Sequence, residues 1–258
     1  MRTLPRNDPR QYDDLVAHWS APAGPFAPLY WLAEARARLV PPAPRPGALL
    51  VDVGCGGGLL APYLAGKGYR HLGVDLMESC ARASRERGVH PLRGDAAALP
   101  LAAGAADVVV AGEILEHVPD LGRAVAELCR VLRPGGRLVL DTLNATRLSR
   151  LLIVTLGERV PGVPRGLHDP GLFVPVRRLV DECAAHGVKL RVRGIRPTAG
   201  GLLRWLRHRY RVATGPGDAP PPARIVPTWS TAVCYQGWGS KDGTRGHGAG
   251  EGEADGGT

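Results

Sequence analysis

Several things missing from the sequence narrow it first. Its five cysteines, Cys55, Cys80, Cys129, Cys183 and Cys234, form no CxxC pair and are odd in number. That excludes a zinc ribbon or a disulfide framework and points to reduced thiols in cytoplasm. A membrane-spanning helix needs ~20 consecutive apolar residues, and the longest candidate here, LLIVTL at 151–156, falls far short. The opening MRTLPRNDPRQYDD has no apolar stretch of the kind a secretory signal carries. A soluble or peripheral cytoplasmic protein is therefore expected. No segment repeats, and no RNA-binding motif is attached to the chain. Aromatic residues make up only 5% of it.

What is present is a chain of 258 residues, 44% hydrophobic, enough to bury a sizeable core in one large α/β domain or two small ones. Glycine (35) and proline (24) are abundant and gather at the ends and in linkers. The formal charge is +9, and the acidic last 18 residues make the remaining body more basic still. Such a surplus suits an anionic partner or simply solubility.

The pattern predicts helix over 12–40, stopped by PPAPRPG at 41–47. Apolar strand runs then alternate with helices: strands at 48–54, 71–76, 89–93, 106–113 and 136–144, and helices over 58–67, 78–87 and 120–132. This is the signature of a doubly wound parallel sheet buried on both faces. A long connection at 145–175 follows, of the kind that serves as a lid or binding segment. Then come a helix at 175–187 and strands at 188–195 and 229–239. The expected organisation is an N-terminal helical segment with a Pro-rich linker (1–46), a main domain (47–238) and a disordered tail (239–258).

The chemistry starts at VDVGCGGGLL (51–60). A glycine-rich turn between strand and helix lets a ligand approach the backbone at a helix N-terminus. A dinucleotide fingerprint, G-x-G-x-x-G/A, fails because its third position is Leu59. What stands there is D-x-G-x-G-x-G: Asp52, Gly54, Gly56 and Gly58. Asp75 ends the next strand, where a carboxylate can accept both ribose hydroxyls of an adenosine. Gly94–Asp95 follows the third strand, and LRPGG (132–136) precedes the fifth. The plain alternative is a tight turn with Asp75 as a helix cap. These elements, in this order, resemble the class I S-adenosylmethionine-dependent methyltransferases, which implies a seven-stranded Rossmann-like fold with one antiparallel strand. In that family Asp95 sits where the adenine amino group is held.

Three further stretches, FAPLYWLAEARARLV (26–40), AGEILEHVPD (111–120) and 142–176 with its P-x-G-x-H-D run (Pro164, Gly166, His168, Asp169), resemble the O-methyltransferases of ubiquinone biosynthesis. The resemblance covers roughly 12–195 and the last strand, and implies methylation of a phenol or catechol hydroxyl on a polyprenylated precursor. The family's cofactor contacts fall on Arg36, Gly54, Asp75 and Gly112, with the Arg36 guanidinium meeting the methionine carboxylate. Gly112 replaces a larger residue of some relatives.

Glu113, Glu116 and His117 follow the fourth strand, and spacings of three and four put them near one face of a helical turn. The resemblance implies metal ligands there, with Mg²⁺ as the ion. His117 alone as general base and a helix cap with surface acids are the other readings. Arg147, Arg150, Arg159 and Arg165 around LLIVTL, and Arg204, Arg207, Arg209 and Arg211 beside Trp205 and Tyr210, suit peripheral contact with anionic lipid; a substrate lid with solvated arginines is the alternative. Methylation of a soluble secondary metabolite or of RNA are rival functions, the second disfavoured. No sequence feature sets an oligomeric state.

Overall fold

A computed structural model describes residues 4–12, 23–212 and 221–243. Helix α1 (Ala27–Ala37) buries Trp31, Leu32, Ala33 and Arg36, so it is covered on more than one side. Pro41, Pro42 and Pro44 follow it and prevent its continuation. Residues 13–22, also expected to be helical, lie outside the described residues.

Strands β1 (Leu49–Val53), β2 (Arg70–Asp75), β3 (His90–Arg93), β4 (Ala106–Gly112) and β5 (Leu132–Leu143) pair in parallel. Helices α2 (Ala61–Leu64), α3 (Glu78–Arg85) and α4 (Leu121–Val131) make three of their connections. Alternate residues of the central strands enter two different cores. Val51, Val109 and Leu138 pack on one face, with Leu121, Val125 and Leu128 of α4, whereas Leu50, Val108 and Val139 pack on the other, with Ala33 and Ala37 of α1. A strand buried on both faces must be apolar along its whole length, which explains runs such as LLVDV and ADVVVAG. Asp120 starts α4 by accepting the Arg123 N–H at 3.0 Å.

The expected long connection contains helix α5 (Arg147–Ser149), a π-helical turn at Arg150–Leu156 and a 3₁₀ turn at Gly157–Arg159. After it come α6 (Val176–Ala185), β6 (Arg191–Pro197), α7 (Ala199–Val212), β7 (Ile225–Thr228) and β8 (Cys234–Ser240). Among the described residues the sheet has eight strands in the order β3-β2-β1-β4-β5-β8-β6-β7, one more than expected. The extra strand is β7, an edge strand antiparallel to β6, so two strands rather than one run against the rest. Pro227 inside β7 hides it in the sequence, because proline is tolerated only where a sheet needs no further donor. The last strand also runs to Ser240, and Lys241 bridges Val188, so residues 239–241 belong to the sheet and not to a tail. Residues 244–258 lie outside the described residues.

Candidate active site

Val53, Asp75, Gly112 and Leu143 are the last residues of β1, β2, β4 and β5, and all four line one cavity of about 1280 Å³. It opens where the strand order reverses between β1 and β4, the position at which open α/β sheets bind ligands.

The glycine loop forms one wall. Gly54 has φ +69°, and a Cβ there would lie 2.7 Å from Ile114 Cγ1. Only glycine meets both demands. The Gly54 and Cys55 N–H groups donate to the Val74 carbonyl at 2.8 and 3.2 Å. Asp75 accepts from the Gly56 N–H at 2.9 Å through one oxygen and from the Met77 N–H at 2.9 Å through the other. Loop and acid are thus one hydrogen-bonded unit, and each carboxylate oxygen retains a lone pair for a ligand hydroxyl. Burial pushes the Asp75 carboxyl up, against the pull of those two N–H groups. Asp52 is buried, with one oxygen 3.4 Å from His71 Nε2, and Asp95 accepts the Ala97 N–H at 2.8 Å. Both also line the cavity.

Arg36 reaches the cavity floor from α1. Its Nε and Nη2 donate to the two oxygens of the wholly buried Asp141 at 2.8 and 2.6 Å. Burial opposes the guanidinium charge, but Asp141 outweighs it and the Arg36 pKa is raised. Gly112 is what makes room: a Cβ there would fall 1.8 Å from Arg36 Cζ. Asp141 was missed in the sequence, though an acid in the apolar strand GRLVLDTLN is itself a signal of a buried partner.

The Glu113, Glu116 and His117 trio departs from expectation. Glu113 adopts φ +52°, and Leu115–His117 form a 3₁₀ turn, so the three side chains do not share a helical face. Glu113 takes a weak bond from the Cys234 thiol at 3.7 Å, and burial, Glu116 and Asp141 push its carboxyl well up. Glu116 is fully buried, with one oxygen accepting from Thr142 Oγ1 at 2.7 Å and the other without a partner. Burial raises its pKa too. Among the described residues no three His, Cys, Asp or Glu side chains gather as a metal requires. The trio is not gathered as Mg²⁺ ligands would be: one Glu116 oxygen is taken by Thr142, Glu113 faces Cys234, and His117 is held by Asn7.

His117 lines the cavity and hydrogen-bonds Asn7 through Nδ1. Burial, with a smaller push from His168, lowers its pKa to about 3 and keeps it neutral. The His168 ring lies 5.4 Å from it, centroid to centroid. Glu158 sits 3.8 Å from His168 Nδ1 and pairs with Arg6 at 2.9 Å. Burial would raise the Glu158 carboxyl, but His168, the Gly166 N–H and Arg6 together hold it below the usual range. Beyond His117 the wall is apolar, built from Leu29, Leu32, Ile153, Val160, Leu202 and Leu206 among others.

Residues 51–140 match a methyltransferase-domain family. A ubiquinone biosynthesis O-methyltransferase of Thiobacillus denitrificans is 38% identical over 191 residues, 69% of this chain and 81% of that protein. One of Ralstonia nicotianae is 33% identical over 224 residues, 81% of this chain and 94% of that protein. The chain belongs to the ubiquinone biosynthesis O-methyltransferase family. It is an S-adenosylmethionine-dependent O-methyltransferase. The fold is shared with an S-adenosylmethionine-dependent methyltransferase of Thermotoga maritima: TM-score 0.61 at 18% identity, over 90% of this chain and 98% of that one. Like others of its family, this O-methyltransferase takes S-adenosylmethionine as methyl donor, and the glycine loop with Asp75 fits an adenosine.

Proposed function

We propose that the enzyme methylates a phenol or catechol hydroxyl on a polyprenylated quinone precursor, in ubiquinone-type biosynthesis. The observation that carries this reading is the cavity. Its volume of about 1280 Å³ exceeds the ~300–1,000 Å³ of ordinary small-molecule pockets, and the part away from the donor loop is lined by apolar side chains. A compact polar acceptor would leave that wall unfilled; a prenylated ring covers it.

In this reading the glycine loop and Asp75 hold the adenosine, Asp95 the adenine edge, and the Nη1 side of Arg36 the methionine carboxylate. When bound, the donor supplies an electrophilic methyl group on a sulfonium. The acceptor oxygen forms the new O–CH₃ bond, the S–CH₃ electron pair stays on sulfur, and the hydroxyl proton passes to Nε2 of His117. One positive charge vanishes as another appears on imidazole, so the site's net charge is unchanged. The burial that disfavours imidazolium is offset in the same step.

Access for such an acceptor is supported by the surface beside the cavity. Leu148, Leu151, Leu152, Leu156, Leu203 and Tyr210 are each 41–56% exposed, amid the arginines of α5, the π-helical turn and α7. Apolar and cationic groups so mixed suit peripheral contact with anionic lipid. Arg209 is an exception: it donates to the Pro161 carbonyl at 2.8 and 3.0 Å and ties α7 to the segment behind the π-helical turn. Among the described residues no helix is long and apolar enough to cross a membrane.

The test supplies labelled S-adenosylmethionine with a polyprenyl catechol, the same catechol without its chain, and bulk tRNA. Preferential labelling of the prenylated phenol is expected. Equal labelling of both phenols, or label in RNA alone, would refute the reading. In flotation with anionic vesicles, removing the charges of Arg147, Arg150 and Arg159 should reduce the bound fraction; equal flotation would rule out the lipid contact.

A further inference from the structure

A short N-terminal segment closes over the site. The Asn7 N–H donates to the Gly166 carbonyl at 2.9 Å, and Arg6 donates to the His168 carbonyl at 2.8 Å and to Glu158. Gln11 Nε2 reaches the Pro5 and Gly166 carbonyls at 2.7 and 3.2 Å. Asn7 sits at φ +59°, a conformation asparagine tolerates better than most residues, and its side chain lines the cavity.

That side chain grips His117 twice. Asn7 Nδ2 donates to the His117 carbonyl at 3.0 Å, and Asn7 Oδ1 meets His117 Nδ1. A backbone carbonyl only accepts, so it admits only the amide NH₂ and fixes the orientation of the group. The amide oxygen must then face Nδ1, and since that oxygen only accepts, Nδ1 must carry the proton. The neutral ring holds one proton, which leaves Nε2 as the basic nitrogen.

The geometry points to Asn7 as a positioning residue: it holds His117 in the Nδ1–H tautomer, which keeps the neutral ring's lone pair on Nε2. The consequence for catalysis rests on His117 being the base, as proposed above; the tautomer assignment does not. Without Asn7 the imidazole falls back on its intrinsic preference for the Nε2–H form, which presents a donor where an acceptor is needed. Asn7→Asp keeps an oxygen opposite Nδ1, whereas Asn7→Ala keeps neither side-chain contact. Both retain the backbone N–H that donates to Gly166.

The experiment records two-bond ¹H–¹⁵N correlations of the histidine rings in the ¹⁵N-labelled full chain, alongside steady-state kinetics with the best acceptor. The wild type and Asn7→Asp should show the Nδ1–H pattern at His117, and Asn7→Ala should shift toward Nε2–H. In Asn7→Ala, kcat should fall roughly 10–100-fold, below the full ~10²–10⁴-fold worth of a general base. The KM for S-adenosylmethionine should stay within about twofold, and Asn7→Asp should recover part of kcat. A wild-type Nε2–H pattern, or an unchanged pattern in Asn7→Ala, would overturn the assignment. His117→Ala separates the two readings. If it keeps full activity, the base role falls, while the ring spectra still decide what Asn7 does.

Discussion

Replacing Gly112 with alanine puts a methyl carbon into space the Arg36 guanidinium already holds. The added Cβ would lie 1.8 Å from Arg36 Cζ and 2.2 Å from both terminal nitrogens, distances no folded protein sustains. Gly112 is not among the glycines with positive φ, so the backbone accepts alanine and the whole penalty acts through Arg36. The guanidinium must swing away from Asp141, which is wholly buried and, among the described residues, has no second cation to pair with. Breaking a buried pair in this way costs about 3–5 kcal/mol. The reduced backbone entropy of the unfolded alanine chain returns about 0.4–1 kcal/mol. A net loss of about 2–4.6 kcal/mol follows, which for a chain of this size lowers Tm by roughly 4–18 °C. Urea denaturation and calorimetry measure it directly. The decisive control is a double-mutant cycle: in an Arg36→Ala background, where the space is empty, Gly112→Ala should cost less than about 0.5 kcal/mol. Equal cost in both backgrounds would refute the steric coupling, and so would a Gly112→Ala protein as stable as wild type.

His117 titrates near 6.5 when unfolded but at about 3 in the fold, so between those values the unfolded state binds the extra proton. Stability should therefore fall as pH drops from about 6.5 towards 3, and His117→Gln should flatten that limb of a pH series of urea midpoints; an unchanged slope would contradict the neutral, buried imidazole. Gly54→Ala should abolish measurable S-adenosylmethionine binding in calorimetric titration, because both the +69° φ and the 2.7 Å approach to Ile114 oppose a side chain. Retained affinity would show that the loop adapts.

The donor half of the site was legible because its parts are local. A glycine turn and an acid at the next strand end are read within one β-α-β unit, and the structure joins them through the Gly56–Asp75 bond. The rest depends on partners far apart in the chain. Asp141 is 105 residues from Arg36, and Asn7 is 110 from His117, separations no spacing rule connects. The Glu113, Glu116 and His117 trio departs from its expected helical face for a different reason: its spacing presumes regular helix, and the left-handed conformation of Glu113 followed by a 3₁₀ turn rotates the side chains apart. Strand β7 escaped because a four-residue edge strand containing proline looks like a loop.

The N-terminal segment over the active site also has a practical side. A peptide fused ahead of it would hang a few residues from Arg6 and Asn7 and compete with their seating on Glu158, Gly166 and His117. The end of the last strand, β8, lies at the opposite end of the sheet. Ser240 pairs with Arg137, near the start of β5, while the cavity lies at that strand's other end. Lys241 is further anchored through Nζ to the Cys129 and Leu132 carbonyls. Bulk attached close ahead of Arg6 should therefore lower turnover until it is removed, whereas bulk attached beyond Lys241 should leave turnover unchanged.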